Sequence, residues 1–302
     1  MAESNLNIKV KNKESITVYN LQYKRKISVR ERSILWIKRI FIWISILVIL
    51  FPVFAIVSAS ISSGTSFMQK SLIPQTITFE NYKAVLLNNN GFLKWMVNTT
   101  FVALLVSTAQ ILMTLPAAYA FSRFKFRGKK KGLMGLLIVQ MFPASMTVPA
   151  ILAVAYKFQY GMDNLWFLSL ILCTGSAYNI WLMKGFMDGL PKELDEAAKV
   201  DGATTWQVFT NIILPLSKPM AVVIFFFSFI GLFGEFVFSS ALIKEKSMRL
   251  VVVGLKGLMG DKVTNWPQYA AASVMVSIPL AIVFMSIQKF IASGLVAGAV
   301  KE

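Results

Sequence analysis

The chain has 302 residues, of which 56% are hydrophobic and 15% are charged, and its formal net charge is +17. This usage differs from that of soluble globular proteins and predicts a membrane protein. Histidine is absent and Cys173 is the single cysteine, so the commonest general base is missing and no disulfide can form within the chain. We therefore expect no enzymatic chemistry on this chain, and no metal or cofactor bound by it.

Residues 1–39 are predicted to form a basic N-terminal tail, with ten Lys and Arg residues. The first apolar segment begins only near residue 40 and is too long for the apolar region of a cleaved signal peptide. It is interpreted as a retained transmembrane helix.

Six segments are apolar enough to span a bilayer. Each has roughly 17 to 25 residues, which at about 1.5 Å per residue crosses about 30 Å of hydrocarbon. The segments are Ile40–Ile61, Val97–Phe121, Leu133–Tyr156, Asn164–Met183, Met220–Ala241 and Val263–Gln288. The sequence thus predicts an all-α polytopic membrane protein with a transmembrane domain over residues 40–290, which includes a loop at 184–218, and a C-terminal tail at 291–302.

The basic residues predict the orientation. Of the 31 Lys and Arg residues, 22 lie in the N-terminal tail, in the second and fourth loops and in the C-terminal end after Gln288, which places both termini and the loop 184–218 in the cytoplasm. The basic clusters adjoin membrane spans, as at residues 123–131, so topology and anionic lipid explain them and no nucleic acid is expected as a partner.

The loop 184–218 predicts a helix, a bend and a second helix. Pro191 suits the first position of a helix extending to about Val200, and Gly202 suits the left-handed residue that ends it. Thr204 and Gln207 form a candidate capping box for the second helix, which Pro215 is expected to stop or kink before the fifth span.

Within this loop the residues follow the pattern E-A-A-x(3)-G-x(9)-I-x-L-P, formed by Glu196, Ala197, Ala198, Gly202, Ile212, Leu214 and Pro215. The pattern resembles the cytoplasmic coupling loop of permease subunits in binding-protein-dependent ABC importers. Residues 178–198 and 297–301 are similar to the carbohydrate branch of these importers, specifically the smaller, six-span permease of maltose/maltodextrin-type systems. One departure is Phe233-Gly234-Glu235-Phe236, where family members often have Trp-Asn-Glu-Phe.

The resemblance implies that the loop docks on an ATPase subunit, with Glu196 as the ionic contact and Gly202 as the bend. The alternative is an amphipathic connector lying on the membrane surface, but such helices prefer basic residues and this loop is acidic. The implied partners are a second permease subunit, two cytoplasmic ATPase subunits that bind ATP and Mg, and an extracellular sugar-binding protein. This chain has no phosphate-binding loop of its own, and the implied location is the bacterial plasma (inner) membrane.

Four embedded polar residues are candidates for a translocation path: Glu235, Asn179, Gln140 and Gln110. The uncharged ones are more often hydrogen-bonding groups between helices. Glu235 is expected to face the central cavity, because a carboxylate near the outer boundary is costly unless it meets water or a partner. The alternative is an interfacial residue at a helix end.

The resulting hypothesis is a transport subunit for an oligosaccharide such as maltodextrin, driven by ATP hydrolysis on a separate chain. An importer permease for another sugar or small solute is an alternative. An ion-coupled secondary carrier is a weaker one, because such carriers use embedded charges or inverted repeats and Glu235 is the one charged residue in the predicted spans.

Overall fold

The computed structural model describes residues 28–64, 73–87, 91–157, 161–259 and 265–299. Over these ranges the chain is built from helices and connecting segments, with an isolated bridge between Ser62 and Ile77. The predicted all-helical class is confirmed. Two compact units are present, Met1–Ala55 and Ile56–Glu302.

Numbered along the chain, the helices are α1 Val29–Ser60, α2 Glu80–Leu87, α3 Phe92–Arg123, α4 Lys129–Gln140, α5 Ala144–Lys157, α6 Leu165–Cys173, α7 Ala177–Asp188, α8 Glu193–Val200, α9 Thr205–Val208, α10 Leu214–Phe233, α11 Val237–Leu242, α12 Val251–Leu258 and α13 Trp266–Ala299. A π-helical turn, Phe209–Ile213, joins α9 to α10, and a 3-10 turn, Lys246–Met248, precedes α12.

The first unit contains most of α1, which begins at Val29 and not at the predicted Ile40. Its start is explained by a capping box, since Ser28 N–H donates to Glu31 Oε2 at 2.8 Å and Glu31 N–H donates to Ser28 Oγ at 3.2 Å. Residues 29–39 of the predicted tail are therefore helical, and residues 1–27 lie outside the described residues. Nearly every side chain from 29 to 55 is exposed, as expected for a helix that faces lipid.

The second unit is organised around α3, which packs against α6, α7, α10 and α12. Its buried residues recur every three or four positions along one stripe, the spacing of one helix face: Trp95, Thr99, Val102, Val106, Gln110, Thr114, Ala118 and Ser122. The helix is longer at both ends than the predicted span Val97–Phe121, and its last residue is Arg123.

The third and fourth predicted spans are not continuous helices. Helices α4 and α5 meet at 89°, and α6 and α7 meet at 47°. Pro143 is the last residue of the first break, between Gln140 and Ala144, and proline disfavours helical geometry in the residue before it. Among the residues that the structure describes, four single helices are long and apolar enough to cross a membrane, and the number rises to six when each bent pair counts as one span.

The fifth predicted span has different ends. Residues 205–233 form one helix, so of the two predicted outcomes at Pro215, a stop or a kink, the stop is wrong. The π-helical turn accommodates the proline, because Leu214 N–H bonds five residues back to Phe209 O. The helix ends at Phe233, and Gly234 to Phe236 separate it from α11, short of the predicted end at Ala241.

The sixth span was predicted at Val263–Gln288. Val263 lies outside the described residues, as do residues 300–302 of the predicted C-terminal tail. Helix α13 begins at Trp266 and continues to Ala299, past the predicted end of the span.

Candidate functional site

The segment from Asp188 to Pro215 forms the predicted pair of helices with a bend between them. Helix α8 begins at Glu193, two residues after Pro191, so the expected proline at the first helical position is wrong. Gly202 ends this helix with φ +84°, and Ala203 N–H donates to Ala198 O at 2.9 Å. Gly202 N–H also donates to Lys199 O at 3.1 Å, which completes a glycine C-terminal cap. The predicted left-handed glycine is confirmed.

The second helix starts as the sequence predicts. Gln207 N–H donates to Thr204 Oγ1 at 3.3 Å, and Thr204 N–H donates to Gln207 Oε1 at 2.7 Å. This reciprocal pair is the predicted capping box. It fixes where α9 begins.

Helix α8 presents an exposed face formed by Glu193, Glu196, Ala197 and Val200. These residues are three or four positions apart and lie on one side of the helix. Val200 is 87% exposed, and Trp206 on α9 is 67% exposed. The coupling surface, as we call these five residues, combines two carboxylates with two large apolar side chains open to solvent.

The opposite side of α8 is attached to α3 by a buried ion pair. Asp195 is 6% exposed, and its Oδ2 lies 2.7 Å from Arg123 Nε. Arg123 Nη2 also donates to Leu190 O at 3.1 Å, and Ser122 Oγ donates to Asp188 Oδ1 at 2.7 Å. Two consecutive residues at the end of α3 thus contact three points of the segment before Glu196.

Sequence reasoning did not identify this ion pair. In the sequence, Arg123 belongs to the basic cluster at residues 123–131 and Asp195 to an acidic loop, so the charge of each residue indicates a surface. A signal was present for Arg123, because the buried stripe of α3 continues through Ala118 and Tyr119 to Ser122. The sequence held no comparable signal that Asp195 is the partner, since the two residues belong to distant segments.

The apolar residues of the loop pack against helices α3 and α7. Val208, Phe209 and Ile213 are buried and belong to one hydrophobic cluster with Tyr119 of α3 and Met183 of α7. Ile212 and Leu214 pack against the same cluster, whereas Pro215 is exposed. The predicted coupling residues therefore divide into an exposed group, Glu196, Ala197, Gly202 and Pro215, and a packed group, Ala198, Ile212 and Leu214.

Two of the four candidate path residues contact each other. Asn179 Nδ2 donates to Gln110 Oε1 at 3.3 Å and to Ser228 Oγ at 3.2 Å. Gln110 Nε2 donates to Leu172 O at 3.1 Å. The cluster joins α3, α7 and α10 and also holds the end of α6, so its hydrogen bonds connect helices.

Gln140 lies at the bend between α4 and α5, where its Oε1 accepts a hydrogen bond from Tyr178 N–H at 3.0 Å. Tyr178 and Trp181 are 57% and 48% exposed, and their ring centroids are 6.0 Å apart. A half-exposed amide and two aromatic rings therefore share one surface at the start of α7.

Glu235 occupies the break between α10 and α11. Its Oε1 accepts from Phe238 N–H at 2.8 Å, and its Oε2 accepts from Ser239 N–H at 2.9 Å. Both oxygens thus satisfy backbone donors at the start of α11, which otherwise lack helical partners. The carboxylate is half-buried.

The structure combines long apolar helices with an exposed, acidic helix pair, which polar contacts hold at the end of a central helix. This combination is typical of the membrane-spanning part of a transporter. Similarity to known proteins specifies the transporter. Residues 103–296 match the family described as binding-protein-dependent transport system inner membrane component. This match covers more than half of the chain, and the chain belongs to that family.

Individual relatives are similar over most of the chain. GanQ of Bacillus subtilis (strain 168), a galactooligosaccharides transport system permease protein, is 37% identical over 259 residues, which are 84% of this chain and 91% of the relative. MalG of Escherichia coli (strain K12), a maltose/maltodextrin transport system permease protein, is 32% identical over 292 residues, 90% of this chain and 97% of the relative.

A solved structure has the same fold. It is the crystal structure of a bacterial ABC transporter involved in the import of the acidic polysaccharide alginate, and one of its chains matches with a TM-score of 0.74 and 24% identity. The match covers 89% of this chain and 100% of that chain.

Proposed function

We propose that this chain is a permease subunit through which an ABC importer takes up an oligosaccharide of the maltodextrin or galactooligosaccharide class. The observation that carries the proposal is the sequence similarity to permeases of those two substrate classes. The chain is 37% identical to the galactooligosaccharide permease and 32% identical to the maltose/maltodextrin permease, each over at least 84% of its length. Import is driven by ATP hydrolysis on a separate subunit, which holds ATP and Mg.

The coupling surface docks on that ATPase subunit. An exposed tryptophan and valine flanked by carboxylates are suited to a cleft with an apolar floor and a basic rim, because buried aromatic anchors dominate the energy of interfaces. Glu196 is the ionic contact. Gly202 permits the bend that lets α8 and α9 enter the cleft together.

The proposed topology has six spans, with each bent helix pair counted as one, and both termini in the cytoplasm. The distribution of Lys and Arg supports this orientation. The location is the bacterial inner membrane, and the assembly contains a second permease subunit, two ATPase subunits and an extracellular sugar-binding protein.

The translocation path passes the surface formed by Gln140, Tyr178 and Trp181, with Asn179 and Gln110 behind it. A neutral sugar needs uncharged hydrogen-bonding groups and aromatic faces, and this surface offers both. Glu235 faces the central cavity at the outer end of α10. Closure of the ATPase subunits moves α8, and the membrane helices reorient so that the path opens to the binding protein. ATP hydrolysis then returns the helices to their starting orientation.

The test is reconstitution of the complete importer with the substitution Glu196→Lys. We expect the subunit to reach the membrane normally but ATP hydrolysis to become uncoupled from uptake, because the ionic contact with the ATPase is reversed. Gly202→Asp at the bend is expected to act in the same way. Glu80→Lys, the same change at an exposed glutamate of α2, is the control and should keep ATP hydrolysis coupled to uptake.

The proposal fails if no ATPase subunit co-purifies with the wild-type chain. It also fails if cysteines placed in the loop at 196 or 200 react with a membrane-impermeant reagent from outside intact cells.

A further inference from the structure

Helix α3 has polar contacts at both ends. At one end Arg123 forms the buried ion pair with Asp195. At the other end Trp95 Nε1 donates to Lys246 O at 2.7 Å, and Thr99 Oγ1 accepts from Val251 N–H at 2.8 Å. The 32 residues of the helix extend over about 48 Å at about 1.5 Å per residue, so one helix connects the segment before Glu196 with residues 246–251.

The ion pair is poorly suited to a purely stabilising role. Arg123 Nε and Nη1 and Asp195 Oδ1 are buried and have no hydrogen-bond partner in the described part of the chain, so the 2.7 Å approach of Nε to Asp195 Oδ2 is a charge contact without hydrogen-bond geometry. A buried ion pair offsets its desolvation only when its remaining polar atoms are satisfied, and an apolar pair of similar volume is often as stable. What the ion pair adds over an apolar contact is a fixed distance and direction between two helix ends.

The ion pair lies next to the coupling surface, so it can pass a movement of that surface to α3. Asp195 and Glu196 are consecutive in α8, and one is buried against α3 while the other is exposed. Any displacement of Glu196 therefore moves Asp195, and the 2.7 Å contact passes the displacement to Arg123. Arg123 ends α3 and Asp195 lies in the first turn of α8, so each charge also has the sign that favours its own helix end.

We propose that Arg123 and Asp195 are positioning residues that transmit movement of the coupling surface through α3 to residues 246–251 on the other side of the unit. The proposal rests on the proposed function, because the movement originates in a docked ATPase. It assigns to Arg123 a role in coupling that is separate from docking, since Arg123 is buried and does not belong to the coupling surface.

The experiment uses the complete importer, with its ATPase, partner permease and binding protein, in proteoliposomes. Three variants are compared with wild type: the apolar pair Arg123→Met with Asp195→Leu, the exchanged pair Arg123→Asp with Asp195→Arg, and the nearly isosteric Asp195→Asn. The matched control is Lys184→Met, which breaks the ion pair between Lys184 and Asp188. That pair lies on the surface of the same segment, with side chains 23% and 42% exposed, where an ion pair contributes little.

Three quantities are measured: assembled complex, ATP hydrolysis, and substrate transported per ATP. We expect the apolar pair to assemble as wild type does but to transport about tenfold less per ATP, within the range of measured coupling effects. The exchanged pair should recover most of that ratio, Asp195→Asn should lower it several-fold, and Lys184→Met should leave it unchanged.

A purely structural role predicts that uptake changes only in proportion to the amount of assembled complex. The proposal is therefore overturned if the apolar pair assembles and transports normally per ATP. A wild-type ratio in Asp195→Asn overturns it as well, whether or not the double variants assemble. Failure of the proposed function is distinguishable, because wild type itself would then show no ATP-dependent uptake.

Discussion

The indole ring of Trp95 lies directly against the backbone of Gly254. A Cβ built on Gly254 would lie 2.1 Å from Cε3 of Trp95, far inside any ordinary contact distance, and Trp95 itself is 2% exposed. Only a glycine at this position allows α12 to approach α3 this closely. The contact lies at the end of α3 where Trp95 bonds to Lys246 O.

The first prediction is that Gly254→Ala destabilises the protein by about 1–3 kcal/mol, the usual cost of overpacking a filled core. Gly257→Ala is the control in the same helix, since its Cβ would meet only Arg249 Nη1 at 3.7 Å. The measurement is the thermal midpoint of the purified complex. Equal midpoints for the two variants would mean that the ring can move away without cost.

The second prediction concerns the bend of the coupling surface. Gly202 has φ +84° and no atom within 4 Å of an added Cβ, so Gly202→Ala should cost about 1–2 kcal/mol through the left-handed backbone alone. Gly185→Ala, inside α7 and equally free of contacts, should instead be neutral or stabilising by up to about 1 kcal/mol. Thermal midpoints check both, and an unchanged midpoint for Gly202→Ala would refute the requirement for glycine.

Local chemistry explains which features of the site could be predicted from the sequence. The capping box at Thr204 and the glycine cap at Gly202 depend on residues within a few positions of each other, so the sequence contains their whole cause. The break beside Pro143 also had a local cause, but hydropathy averages over a segment and does not register a single proline.

Two features have no clear signal in the sequence, for different reasons. Arg123 and Asp195 come together only when the end of α3 meets α8, and the charges of each residue alone indicated a surface. The continuation of the helix through Pro215 required a π-helical turn, which redirects the Leu214 N–H to Phe209 O. Neither pattern has a sequence signature as clear as that of a cap.

The third prediction separates two roles of Glu235. Because both carboxylate oxygens accept backbone N–H groups of α11, Glu235→Gln loses one acceptor and should cost about 1 kcal/mol, as for other helix caps. The control is Glu245→Gln, since one oxygen of Glu245 accepts from Ser247 and glutamine keeps one. Thermal midpoint and uptake are measured together. If uptake and assembly are unchanged in Glu235→Gln, Glu235 does not face the cavity.

The fourth prediction separates residues of the path from residues that join helices. Gln110 is 7% exposed and its hydrogen bonds go to Leu172 and Asn179, so Gln110→Leu should cost about 0.6 kcal/mol, the average for polar contacts between membrane helices, with KM for uptake unchanged. Trp181 is 48% exposed and contacts Tyr178, so Trp181→Leu should leave stability nearly unchanged but raise KM several-fold through loss of an aromatic face for the sugar. Stability is measured by thermal midpoint and KM by uptake at varied substrate concentration. The opposite result, a raised KM in Gln110→Leu and a normal KM in Trp181→Leu, would place the path at the buried amide cluster and not at the exposed aromatic surface.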